Sequence, residues 1–501
     1  MTDAALRMRV PLAKWHPSDS LSAMIRASLA AMLLLAVPHP AVAAASDPIE
    51  DAVRAKLAEA GPGTRFGLVV VDDQGREIVA IAPDDRFVPA SNTKMFSTAL
   101  AYETLSVDGP DAAGGTQVRL GEGPRPDVLL VGRGDPRLSG AADCTVDCLS
   151  TLADAVAART RVVGAVIGDD TLFPDERWPS GMSWNNMTSR YGTAISALSI
   201  DDNEWRVTVT PGALGEPARI DGDGYEAIDN HVTTGAKTDL STMRMPGSGR
   251  LRVWGTIAAG ATPERVRVGI ENPAHRAAWL MRRMLEVRGV RVTGDIGTRH
   301  RAIAPSDDPA RGAPAPRVPD QPSLAALSPP PLADTLSITN KVSQNLYADL
   351  MLRRAAAITG SGSVADGQAA MQAMLTRAGV ARHHYDFSDG SGMSTYNRTS
   401  PRGTVAFLRW TQTRPWGAAF RETLPIAGKD GTLSRRFTGT PLEGRLFAKT
   451  GSLNASNALA GFITAKSGRT LTFASLANDM PQDKSARDVM DAALNLIAEA
   501  Y

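Results

Sequence analysis

The chain has 501 residues, 54 Lys and Arg against 53 Asp and Glu, and a formal net charge of +1. That length exceeds one ordinary compact core and calls for two or three packing units. The balanced charge leaves no electrostatic footprint for DNA or RNA, so nucleic acid is not an expected partner.

Arg7, Arg9, Lys14 and Arg26 precede the apolar run ASLAAMLLLAV and then PHPAVAAASD, the pattern of a secretory signal peptide over residues 1–43. Ala41-Val42-Ala43 offers a small-residue cleavage site, so the mature chain is expected to begin near Ala44 and to act in the periplasm or outside the cell. Met24 is an alternative start. The apolar run is too short for a permanent span and no longer one follows, so no permanent membrane span is expected in the mature chain.

RFGLVVVDDQGREIVAIAP then reads as two strands around an Asp73-Gln74-Gly75 turn. SNTKMFSTALAYETL lacks Gly and Pro and places Met95, Ala99 and Tyr102 on one face, which predicts a buried helix with Ser91 in its first turn. Cys144 and Cys148, in a chain sent to an oxidising compartment, form either a local disulfide or two reduced thiols on one helical face. No second Cys or His pair stands near enough to complete a zinc site, and neither a metal nor a cofactor is expected.

The strand-like runs PDVLLVG, TRVVGAVIG, EWRVTVTPG and RLRVWGTI fill the middle of the chain. A tract rich in Pro, Asp and Arg, from about Ala304 to Pro322, reads as a return linker. LFAKTGSL, ALAGFITAK and RTLTFASLA are three further strands, followed by a helix from about Lys484 to Ala500 with Val489, Ala493, Leu496 and Ile497 on one side. The expected class is α+β: three strands at the end can combine with two at the beginning into one antiparallel sheet, which requires the ends of the chain to meet, with the Ser91 helix on a face and the final helix expected to close the sheet rather than to bind membrane.

Three motifs carry chemistry. A serine hydroxyl is a poor nucleophile, and the lysine of Ser91-x-x-Lys94 lies on the same helical face, where burial would lower its pKa and make it a base. The bland alternative is a capping serine and a solvated lysine. Ser343-Gln344-Asn345, ahead of the helix-like LYADLMLRRAAA, would supply a relay hydroxyl and a binding amide, although Ser-x-Asn recurs at Ser183 and Ser452. Lys449-Thr450-Gly451 sets a cation and a hydroxyl on a strand edge able to take an extended peptide and its carboxylate; the alternative is a lysine guarding that edge. DGSGMSTYN reads as a Gly-rich turn that could also wall the site, and His383 and His384 read as surface or packing residues. The chain lacks a His-Glu-x-x-His zinc motif and a Gly-x-Ser-x-Gly elbow.

In that order the three motifs resemble those of penicillin-recognising serine enzymes, the penicillin-binding proteins and serine β-lactamases. The gap of about 250 residues between Ser91 and Ser343 is similar to that of the class C low-molecular-mass penicillin-binding proteins, the D-alanyl-D-alanine carboxypeptidase/endopeptidase family of the penicillin-binding protein 4 type. GRGDPRL, ALSIDDNEW, SPPPLADTL, NKVSQNLYADLML, DGSGMSTYNRTSP, LPIAGKDGTLSRRF and GRLFAKTGSLNASNALAGF extend the resemblance over most of the mature chain.

The resemblance implies a transpeptidase/β-lactamase-like domain, a five-stranded antiparallel sheet flanked by helices, with two inserted β-rich subdomains. The expected division is a signal peptide at 1–43, the first part of the catalytic domain at 44–112, the insertions and return linker at 113–322, and the second part of the catalytic domain at 323–501. It implies Ser91 as nucleophile, Lys94 as base, Ser343 as proton relay, and Asn345, Lys449, Thr450 and Ser452 as substrate-binding residues, with the backbone N–H groups of Ser91 and Ser452 as an oxyanion hole. The expected partners are peptidoglycan peptides ending in D-Ala-D-Ala or carrying D-Ala cross-links, and β-lactams, which would acylate and inhibit the same serine. Two positions depart from the family pattern: Gln344 replaces an Asp, and Ser452 replaces a Thr. The rival readings are a serine β-lactamase or esterase on the same core and a non-catalytic periplasmic binding or scaffold protein.

Overall fold

The computed structural model describes residues 48–316 and 321–501. The expected signal peptide and four residues of the return tract lie outside the described residues. Among the described residues no helix is long and apolar enough to cross a membrane.

One five-stranded sheet joins the two ends of the chain. Its order is Leu446–Leu453, Ser456–Thr464, Thr470–Asn478, Arg65–Val71, Glu77–Ile81, and every neighbouring pair is antiparallel. The expected Asp73-Gln74-Gly75 hairpin is present, and a second turns at Gly468 between the Ser456–Thr464 and Thr470–Asn478 strands; both glycines supply the positive φ their turns need (88° at each).

Side chains alternate across this sheet, and both faces are buried. Val69, Val71, Ala460 and Phe462 pack on one face against Met95, Phe96 and Ala99 of the Thr93–Thr104 helix and Leu350 and Met351 of the Asn345–Thr359 helix. Leu68, Val70, Leu459 and Phe473 pack on the other against Val53 and Leu57 of the Pro48–Ala58 helix and Met490, Ala493, Leu494 and Ile497 of the Arg487–Ala500 helix. The final helix closes the sheet as expected, although Val489 and Leu496 are only half-buried and Met490 and Leu494 take the deeper positions.

The middle of the chain holds the expected strands and two helices besides. Leu149–Arg159 and Pro273–Val287 share an apolar core with a mixed sheet that includes Val128–Val131 and Val166–Pro174. Beyond it, two three-stranded sheets enclose Trp205, Val207, Leu251 and Val253. Cys144 and Cys148 form a disulfide, which decides between the two sequence alternatives.

Candidate active site

Ser91 stands in a 3-10 turn, Ala90–Asn92, immediately before the Thr93–Thr104 helix, so the α-helix begins two residues later than the sequence pattern predicts. Pro89 precedes the turn, and Ala90 has a φ of 47°, a left-handed conformation held by its surroundings. Two glycines make that packing possible. A Cβ on Gly392 would stand 1.9 Å from Ala90 O, and one on Gly451 would stand 2.5 Å from Pro89 O. The glycine of Lys-Thr-Gly therefore lets the edge strand lie directly against the chain that carries Ser91.

Lys94 is fully buried, with Nζ 2.8 Å from Ser91 Oγ and donating to Ser391 O at 2.6 Å. Burial drives its pKa down to about 8, against the opposing charges of Asp349 and Asp389. Asp349, on the Asn345–Thr359 helix, accepts a hydrogen bond from Gly390 N at 2.7 Å, and burial together with the charge of Asp389 pushes its carboxyl up to about 7. The alternative of a solvated lysine at this position is excluded.

Residues 389–397 do more than make a turn. Asp389 accepts from Gly392 N, Ser394 N and Asn397 Nδ2, an acid-centred knot that aims the Ser391 carbonyl at Lys94. The sequence pattern alone reads as a simple Gly-rich turn, because only the tertiary fold brings Ser391 to Lys94, 297 positions away. His384 is a packing residue, its Nδ1 2.7 Å from Ser400 Oγ.

Ser343 links the Leu332–Lys341 and Asn345–Thr359 helices at a φ of 64°, a second left-handed position at the cleft. Its Oγ accepts from Nζ of Lys449, also fully buried, at 2.9 Å. The same ammonium donates to Thr450 O at 2.9 Å, and burial followed by the charge of Lys94 holds its pKa well below the usual lysine range. Each serine hydroxyl thus faces its own buried lysine.

Gln344 has a structural explanation. It caps the Asn345–Thr359 helix, its side chain accepting from Leu346 N at 3.3 Å. Asn345 donates to Tyr191 O at 2.7 Å and lines a small cavity of about 10 Å³ with Tyr191, Asp349 and Ser391. Thr450 Oγ1 lies 2.7 Å from Thr432 Oγ1, and exposed Ser452 accepts from Arg487 at 3.0 Å. Contacts join the seven sequence-selected residues into one neighbourhood: Gly451 lies against Pro89 and Ala90 beside Ser91, Lys449 feels the charge of Lys94, and Asn345 lines its cavity with Ser391, the partner of Lys94. Asp349, Asp389, Ser391, Thr432 and Arg487 are additions. A charged residue inside the apolar run LYADLML was the one signal in the sequence that could have found Asp349, since a buried carboxyl needs partners.

The model of the D-Ala-D-Ala carboxypeptidase 3 (S13) family matches residues 50–500. The chain belongs to this family. Among carboxypeptidase relatives, the D-alanyl-D-alanine carboxypeptidase of Actinomadura sp. (strain R39) is 32% identical over 466 residues, 87% of this chain and 82% of that one. The crystal structure of penicillin binding protein 4 (dacB) from Haemophilus influenzae superposes with a TM-score of 0.76 at 22% identity, covering 91% of this chain and 99% of that one. The same protein complexed with a β-lactam gives 0.70 at 22% identity, over 88% of this chain and 98% of that one. The Haemophilus influenzae protein shares the α+β fold described above.

Proposed function

We propose that this S13-family chain is a serine D-Ala-D-Ala carboxypeptidase that also cuts D-Ala cross-links in peptidoglycan, working through an acyl-enzyme on Ser91. The observation that carries the reading is the 2.8 Å contact between Ser91 Oγ and a buried lysine whose pKa lies near 8. Neutral Lys94 takes the Ser91 proton as Oγ attacks the carbonyl of the penultimate D-alanine. The backbone N–H groups of Ser91 and Ser452 stabilise the oxyanion, a contribution of about 3 kcal/mol per donor in acyl-transfer enzymes. Ser343, held by Lys449, relays the proton to the leaving amine, and the D-alanine departs. Water then hydrolyses the ester and regenerates the serine.

Asn345 binds the substrate's peptide amide, displacing or sharing its contact with Tyr191 O, while Lys449, Thr450 and Ser452 hold the terminal carboxylate. A β-lactam presents the same carbonyl and carboxylate and acylates the same serine; the Haemophilus influenzae relative has been solved with one bound. Export by the 1–43 signal brings the enzyme to its substrate. An insertion within the catalytic domain is supported by strands from residues 65–81 and 446–478 sharing one sheet while the middle of the chain buries cores of its own; the insertion runs past the expected boundary at 322, since Ala325–Ala326 pairs with Gln117–Leu120 and Leu327 joins the inserted core. Release of D-alanine from a peptide ending in D-Ala-D-Ala tests the reading. The wild type releases it and Ser91→Ala does not; equal release from both would remove Ser91 from the mechanism.

A further inference from the structure

We infer that Arg487 is a specificity-determining residue for substrates that end in a free carboxylate, an inference resting on the reading above of residues 449–452 as the carboxylate-binding edge. Arg487 opens the final helix, and its Nη2 donates to Ser452 Oγ at 3.0 Å. The start of that helix is fastened to the same pair of strands. Asn457, paired with Ser452 in the sheet register, accepts from Ala486 N at 3.0 Å and from Ser485 Oγ at 3.2 Å, and Arg487 N donates to Ser485 Oγ at 3.3 Å. The helix start that carries Arg487 is therefore held by the fold beside Ser452.

Two consequences follow from hydrogen-bond chemistry. Ser452 Oγ accepts from Arg487 and has Asn457 Nδ2 at 3.5 Å, so its acceptor side faces donors and its own proton is left to point at an incoming acceptor. Secondly, the cation is available. Among the described residues no carboxylate lies within 4 Å of the Arg487 guanidinium; Asp491, one turn on, feels its charge but is paired with Arg436. The hydroxyl can donate to a carboxylate or to an amide carbonyl, but the charge of a guanidinium without an ion-pair partner adds to a carboxylate what it does not add to the neutral amide.

The test uses the mature chain and two peptides identical except at the C-terminus, one ending in D-Ala-D-Ala with a free carboxylate and the other in its amide. Arg487→Ala should lower kcat/KM for the free acid roughly tenfold, mostly through KM, because a charge-assisted bond at an exposed site is lost. Turnover of the amide should stay unchanged, and Arg487→Lys should recover part of the loss. An acid-to-amide ratio that is the same in wild type and Arg487→Ala, or a loss carried by kcat instead of KM, overturns the inference and leaves the carboxypeptidase reading standing. A wild type that cleaves neither peptide overturns that reading and the inference together.

Discussion

The wall of the cleft formed by the Ser91 turn and the wall formed by the Leu446–Leu453 strand each bury a lysine completely, by different means. Lys94 has two carboxyl groups, Asp349 and Asp389, whose charges offset part of its burial and leave it titrating near pH 8. Lys449 has no such support. Its contacts are the Ser343 hydroxyl and the Thr450 carbonyl, and the charge of Lys94 works against it. The first wall is thereby set to exchange a proton near neutral pH, and the second is short of negative charge. A substrate carboxylate arriving at the strand edge supplies that charge and should favour the ammonium form of Lys449.

The largest effects should come from breaking the first wall. Ser91→Ala should abolish penicillin labelling, and Lys94→Ala should slow acylation by about 10³-fold, within the range for removal of a general base. An unchanged rate in Lys94→Ala, followed by fluorescent penicillin, would place the base elsewhere. Gly392→Ala attacks the same wall without touching its chemistry. The new Cβ would collide with Ala90 O at a φ of 89°, shifting Ser91 and costing about 10²-fold in kcat/KM. Wild-type kinetics in a folded Gly392→Ala protein would show that the Ser91 turn tolerates displacement.

A pH profile sharpens the contrast between the walls. Lys94 acts as a base only when neutral, so the acylation rate should rise through about pH 8 and then level. In Asp349→Asn a charge that raises the Lys94 pKa is gone, so the rising limb should move to lower pH while the plateau changes little. A limb that stays in place or moves upward would mean that Asp349 does not act through Lys94. Smallest of all, Cys144→Ser with Cys148→Ser should cost about 2 kcal/mol or less, because the closed loop is short, and should leave kcat/KM unchanged. Thermal melts and D-alanine release check that pair.

Features set by neighbours in sequence were legible from the chain alone. The strand alternation of RFGLVVV and ALAGFIT, the hairpin glycines and the spacing of Ser91 and Lys94 are local signals, and the order of the three motifs supplied the rest of the site. Features set by tertiary approach were not. Ser391 reaches Lys94 only because Gly392 allows a backbone to pass beside Ala90, and Arg487 reaches Ser452 only because the sheet register sets Asn457 opposite it. The start of the Ser91 helix was misplaced by two residues because the left-handed Ala90 is imposed by packing, with no glycine there to announce it.

The central claim is that Ser91 becomes the acyl-enzyme. Penicillin-treated mature protein, digested and mapped by mass spectrometry, should carry one penicilloyl group on the peptide containing Ser91, and Ser91→Ala should carry none. An adduct on any other residue, or one that persists in Ser91→Ala, would contradict the account.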